Sequence, residues 1–247
     1  MPKLNFLSKL SLFFLALSAA IYSIHYLIFS DATFIFRYLI AQLGFLPLNV
    51  LLVTIVLNGL MSNRAKNERM QKLNMVIGAF FSDVGTELLR SFAQFDCSAA
   101  SLSKQLILSN SWQDEDFIKV KNNLQKEHFN IQADKSDLLR LKEYLNQKHD
   151  YLLRLLENPN LLEHESFSNL LWAVFHLNEE LALRGDLMVL AKSDYAHLKG
   201  DVNRVYIALI AQWLDYMQHL NSDHPYLFSL GMRTNPFNPD ARVEIIE

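Results

Sequence analysis

Cysteine is nearly missing: Cys97 stands alone in 247 residues. One thiol excludes an internal disulfide and any thiolate zinc cluster built from this chain, and it agrees with a reducing compartment. Glycine is scarce as well, with seven residues, all isolated. Without clustered glycines there is no phosphate-cradling P-loop, no dinucleotide fingerprint and no Gly-x-Ser-x-Gly elbow. A basic excess is also absent. Three of the 23 Lys+Arg (Lys3, Lys9, Arg37) and one of the 26 Asp+Glu (Asp31) precede Arg64, so from Arg64 onward acids outnumber bases by five. That balance argues against a nucleic-acid partner, which calls for a basic face. His-Glu-x-x-His is missing, since His164-Glu165 lacks its second histidine, and so is the Glu-x-x-His spacing of di-iron bundles. No segment alternates with period two, so no sheet is expected.

What the chain does have is concentrated at its start. Residues 10–29 (LSLFFLALSAAIYSIHYLIF) and the twenty residues Tyr38–Leu57 (YLIAQLGFLPLNVLLVTIVL) carry no charge. Each run is long enough to cross a hydrocarbon core as a helix. A secretory signal peptide is the rival for the first, with Lys3 and Lys9 as its n-region and Ser18-Ala19-Ala20 as a cleavage site. The run continues to Phe29, however, longer than an h-region requires. Ser30 to Thr33 makes a tight connection, so spans of about 10–29 and 34–61 are expected to form a two-helix transmembrane hairpin within residues 1–63. Lys3 and Lys9 precede it and Arg64, Lys66, Arg69 and Lys72 follow it. The positive-inside bias places both termini in the cytoplasm and the protein in the inner (plasma) membrane. Arg37 can snorkel to the headgroups, Pro47 after Gly44 predicts a kink, and the amides of Gln42 and Asn49 are expected to bond a neighbouring helix. They can also be read as the lining of an oligomeric pore.

Residues 64–96 read as a juxtamembrane amphipathic helix. Its stripe is Leu73, Ile77, Phe80 or Phe81, Val84, Leu88 and Phe92. Gly78, Ser82 and Gly85 make a small-residue line that would admit another backbone. Asp83, Glu87 and Arg90 make a polar one. Residues 97–222 then read as a cytoplasmic α-helical bundle. The expected helices are a short one capped by Ser98 or Ser101, one over Trp112–Phe129, and one from the Asp134 cap to about Asn158. A fourth spans residues 165–184 and ends at Gly185, and the last starts at Ser193 or Asp194 and reaches about Asn221. Asn158-Pro159-Asn160 should turn. Residues 223–247 form a C-terminal segment that opens with a short helix stopped by Gly231. Its Asn235-Pro236-Phe237-Asn238-Pro239 favours turns. Phe237 there either docks on the body or, with Arg233, meets a protein partner.

Candidate chemistry is thin. His176, Glu179 and Glu180, with Arg184 a turn on, can bind a divalent cation or relay a proton if another helix assists. The plain alternative is a Glu180–Arg184 pair beside a hydrogen-bonded histidine. The other histidines, His128 among them, are scattered. Asp194 with His197 and Asp201 with Arg204 have neighbour spacings and are expected to face water. Two stretches, KLNMVIGAFFSDVGTELL (Lys72–Leu89) and HPYLFSLGMRTNPFNP (His224–Pro239), resemble a group of bacterial membrane proteins of unknown function. Those combine an N-terminal membrane hairpin with a helical cytoplasmic part. The resemblance implies this architecture and no activity.

The sequence therefore predicts an all-α chain that binds the lipid bilayer and interacts with a protein partner or with itself, without a cofactor. The competing expectation is an enzyme, metal-dependent or not, using Asp83, Glu87, His176, Glu179 and Glu180.

Overall fold

A computed structural model describes residues 6–97, 99–124, 129, 131–159, 161 and 164–244. Lys3, Ser98, His128, Asn160 and the last turn of the helix expected up to Phe129 lie outside them. Among the described residues nine α-helices follow in order: α1 (Phe6–Phe29), α2 (Ala32–Phe80), α3 (Thr86–Phe95), α4 (Ala99–Leu106), α5 (Asp114–Leu124), α6 (Lys135–Leu156), α7 (Glu165–Leu183), α8 (Lys192–Asp223) and α9 (Pro225–Arg233). Among the described residues the only β feature is a single antiparallel bridge between Asp96 and Ile131, so the chain is all-α. It divides into two compact units, Met1–Lys66 and Asn67–Glu247.

In the first unit, α1 and the Ala32–Ser62 part of α2 are long and apolar enough to cross a membrane, and their apolar windows bury nothing. Ser30 takes a positive φ of 51° at the connection. Asp31 Oδ1 accepts from Phe34 N at 2.9 Å, which caps α2. Helix α2 runs through Pro47 without a break. Three polar side chains bond within their own helices. Ser23 donates to Ala19 O and Thr54 to Val50 O, and Gln42 donates to Tyr38 Oη at 2.8 Å rather than to a neighbouring helix.

The second unit has one continuous core. The stripe expected over residues 64–96 is buried, with one alteration: Phe80 and Phe81 are both inside, at 0% and 2% exposure. A π-turn over Phe81–Gly85 separates α2 from α3. The extra residue in that turn moves the stripe by one position, so adjacent phenylalanines both point inward and Val84, Leu88 and Phe92 stay in phase behind them. Phe80 meets Phe167 edge-on at 5.4 Å, and Phe81 stacks on Tyr216 at 5.3 Å. The small-residue line serves aromatic rings rather than a backbone. A Cβ at Gly78 would sit 3.2 Å from Tyr216 Oη, and one at Gly85 2.6 Å from Phe81 Cδ1.

Helix α8 is the hub, packing on α7, α9, α5 and α3, while α7 also packs on α6. Its face from Leu198 to Leu220 is buried, including Val205, Tyr206, Leu209, Trp213 and Met217. Helix α6 begins at the capping box of Asp134 with Asp137 and buries Leu138, Leu141, Leu145, Leu152 and Leu155. His164 accepts from Phe167 N and so caps α7. Gly231 does not end the last helix. It lies inside α9, where a Cβ would come within 2.7 Å of Met217 Cε, and Thr234 is the cap.

Candidate functional site

Two i, i+4 pairs on adjacent helices build the site. His176 and Glu180 lie one turn apart on α7, and His197 and Asp201 one turn apart on α8. The connection over 184–191 is short and contains a 3-10 turn at Leu187–Val189 capped by the Asp186 side chain. It returns α8 along α7 so that 180 faces 197 and 176 faces 201. His197 Nε2 is 3.5 Å from Glu180 Oε2 and 3.3 Å from Asp201 Oδ2. His176 Nε2 is 4.0 Å from Glu180 Oε1 and 3.9 Å from Asp201 Oδ2. Donor atoms of Glu180, His197 and Asp201 all lie within 4.8 Å of one another, the spacing of a cation's ligands.

The four side chains differ in depth. Asp201 is 2% exposed and forms the floor, while His176 and His197 are about half exposed, at 48% and 53%, and form the rim. Two arginines hold the carboxylates. Arg184 grips Asp194 with Nε and Nη2, at 3.0 and 2.7 Å, and donates from Nη1 to Glu180 Oε2 at 2.6 Å. Arg204 Nη1 donates to Asp201 Oδ1 at 2.8 Å. The Arg184 hydrogen bond keeps the Glu180 and Asp194 carboxyls below the usual range. In return the bond from Asp194, with that from Glu180, raises the Arg184 pKa. Asp201 Oδ2 is buried and has no hydrogen-bond partner among the described residues.

Of the residues singled out in the sequence, His176 and Glu180 are brought together here. Glu179 is exposed and outside the cluster. Asp83 and Glu87 are engaged elsewhere, Asp83 with Lys148 at 2.9 Å and Glu87 with Arg90 at 2.6 Å. Asp201 corrects an expectation: it is buried between α7 and α8 instead of facing water. His197 stands beside it, and the i, i+4 His–carboxylate spacing repeated on two successive helices is the sequence signal for both. Phe237 docks. It is 3% exposed, and its ring meets Trp213 at 5.3 Å. The Asn235 amide donates to Leu106 O at 2.8 Å and holds the segment against α4. Arg233 donates to Val243 O in the same segment.

The family model described as the MJ1433 N-terminal helical domain matches residues 2–61, and that described as the C-terminal helical domain of uncharacterized protein MJ1433 matches residues 69–233. Uncharacterized protein MJ1433 of Methanocaldococcus jannaschii is 46% identical over 231 residues, covering 94% of this chain and 92% of that protein. This relative is archaeal, where the resemblance of the two stretches pointed to bacteria. No solved structure matches the chain. With both helical domains matched and nearly its whole length aligned, the chain belongs to the MJ1433 family.

Proposed function

We propose that the protein is an integral membrane protein whose helical body, Asn67–Glu247, serves as an interaction or sensing module on the cytoplasmic side. The observation that carries this reading is that none of the apolar side chains in the long runs of α1 and the first part of α2 is buried. Leu12, Phe13, Leu15, Leu43, Leu51 and Leu52 are each more than half exposed. A run of that length left in water forfeits roughly 1.5–3 kcal/mol per large side chain, and lipid is the solvent that removes the penalty. The internal hydrogen bonds of Ser23, Gln42 and Thr54 also suit a medium without water. The enzyme alternative needs Asp83, Glu87, His176, Glu179 and Glu180 at one place, and only His176 and Glu180 meet.

Cys97 supplies the test, being the sole cysteine and exposed. The protein is expected to stay with membranes through alkaline carbonate extraction. A membrane-impermeant maleimide is expected to label Cys97 in inverted vesicles and not in intact cells. Release into the carbonate supernatant would refute the anchor, and labelling from outside would refute the orientation.

A further inference from the structure

We propose that His176, Glu180, His197 and Asp201 form a binding site for one divalent transition-metal ion of the zinc type, clamped between α7 and α8. The spacing fits. Imidazole and carboxylate ligands sit about 2.0–2.1 Å from zinc, so tetrahedral ligand atoms lie about 3.3 Å apart. The four His–carboxylate separations run from 3.3 to 4.0 Å. Donor atoms of Glu180, His197 and Asp201 already lie together; His176, outside that trio but 4.0 and 3.9 Å from the two carboxylates, joins by a small side-chain rotation.

The floor of the cluster supplies the second argument. Asp201 is almost wholly buried, and its Oδ2, facing both imidazole nitrogens, lacks a hydrogen bond among the described residues. An unsatisfied buried carboxylate oxygen is expensive, and a cation placed between it and the two imidazoles would satisfy it. The arginines leave the right atoms open. Arg204 occupies Asp201 Oδ1 and leaves Oδ2, and Arg184 holds Glu180 Oε2, the oxygen 3.5 Å from His197 Nε2, and leaves Oε1 toward His176. Outer hydrogen bonds of this kind orient ligand carboxylates in metal sites.

Donor chemistry narrows the ion. Two imidazoles with two carboxylates suit zinc, manganese, iron or nickel in their divalent states, better than all-oxygen calcium and magnesium sites or thiolate sites. The rival occupant is a proton. An imidazolium at His197 would pair with Asp201 and make the cluster an ion network only. Metal and proton compete for the same nitrogens, and the two readings differ in one measurable respect.

The test uses the full, untagged chain, solubilised in detergent and stripped with chelator. Titration with Co2+, followed by visible d–d absorption, is expected to saturate at one equivalent with the intensity of a four-coordinate ion. Zn2+ should then displace the cobalt and raise the melting temperature. His197→Asn and Asp201→Asn are each expected to weaken Zn2+ binding at least roughly tenfold, the scale on which even the outer partners of metal sites act. Glu179→Gln, altering an exposed neighbour, should bind as the parent does. If Asp201→Asn does not fold, His176→Asn and His197→Asn carry the test, because both rings sit at the rim. No saturable cobalt spectrum, or equal affinity in the His197→Asn chain, would overturn the proposal and leave an ion network in its place.

Discussion

Replacing glycine by alanine at three helical positions should give opposite results for a single reason, the space around the new methyl. At Gly200, exposed within α8, a Cβ would meet nothing within 4 Å. Gly200→Ala therefore gains only the helix-propensity term, about 0.8–1 kcal/mol. Gly85 has ordinary helical angles, φ −63° and ψ −41°, so alanine incurs no backbone penalty there either. Its Cβ, however, would lie 2.6 Å from Phe81 Cδ1 and 2.8 Å from Phe80 Cε1, and both rings are buried. Ordinary contact begins near 3.4 Å, so each ring must retreat by more than half an ångström. Phe81 is backed by Tyr216 and Phe80 by Phe167, which leaves little room. Overpacking of this kind costs about 1–3 kcal/mol. Since both variants share the propensity gain, the Gly85→Ala chain should be about 1–3 kcal/mol less stable than the Gly200→Ala chain. For a unit of this size that corresponds to roughly 2–12 °C in melting temperature. Gly78→Ala, whose Cβ would sit 3.2 Å from the Tyr216 hydroxyl, a milder approach than at Gly85, should fall between them. Thermal unfolding in detergent, followed by near-ultraviolet circular dichroism of the buried aromatics, ranks the three. Equal melting temperatures for the Gly85 and Gly200 variants would refute the tight π-turn packing.

Other expectations concern titration and docking. Burial, helped by Glu87 and Asp83, pushes the Tyr144 phenol up to about 12. Between about pH 10 and that value the unfolded chain sheds this proton first, so stability falls as pH rises through the window. Tyr144→Phe should soften the alkaline loss and remove a late phenolate from the absorbance titration. Arg184 lowers the Glu180 and Asp194 carboxyls, which contributes stability above the ordinary carboxylate range that is lost on acidification. Arg184→Gln should therefore lower the melting temperature at neutral pH, and the gap from the parent should close as the pH drops below about 4; a gap that stays constant with pH would deny the linkage. Phe237→Ala should cost about 3–5 kcal/mol at a fully packed ring. It should make residues 234–244 protease-sensitive, while Tyr226→Ala, at a 70% exposed ring, should not.

Much of the helical plan was readable because amphipathic periodicity is a local property. Positions Val202, Val205, Leu209, Trp213 and Met217 share a face by spacing alone, and all are buried. The Asp134 cap was equally plain, its side chain accepting from Asp137 N. The π-turn was not. Nothing in AFFSDVG separates a helix that buries one phenylalanine from one that buries two, because Phe167 and Tyr216, far along the chain, decide it. The site divided in the same way. His176 with Glu180 was visible as an i, i+4 pair on an apolar helix. His197 and Asp201 needed the register of α8 on α7, which the length of the 184–191 connection and the packing of both helices set together. Glu179 stands at i, i+3 from His176 and Glu180 at i, i+4, so spacing admits both, yet consecutive helical residues point about 100° apart and only one of two consecutive glutamates can look into the cluster.

The anchoring of Asn235 and Phe237 bears on where the body can be cut. The C-terminal family model stops at residue 233, two positions short of the Asn235 amide that reaches Leu106. An expressed piece ending at that boundary would present a bare indole at Trp213 and strip the Leu106 carbonyl of its donor. Such a fragment should be sticky and readily degraded, whereas one carried through Asp240 keeps its lid.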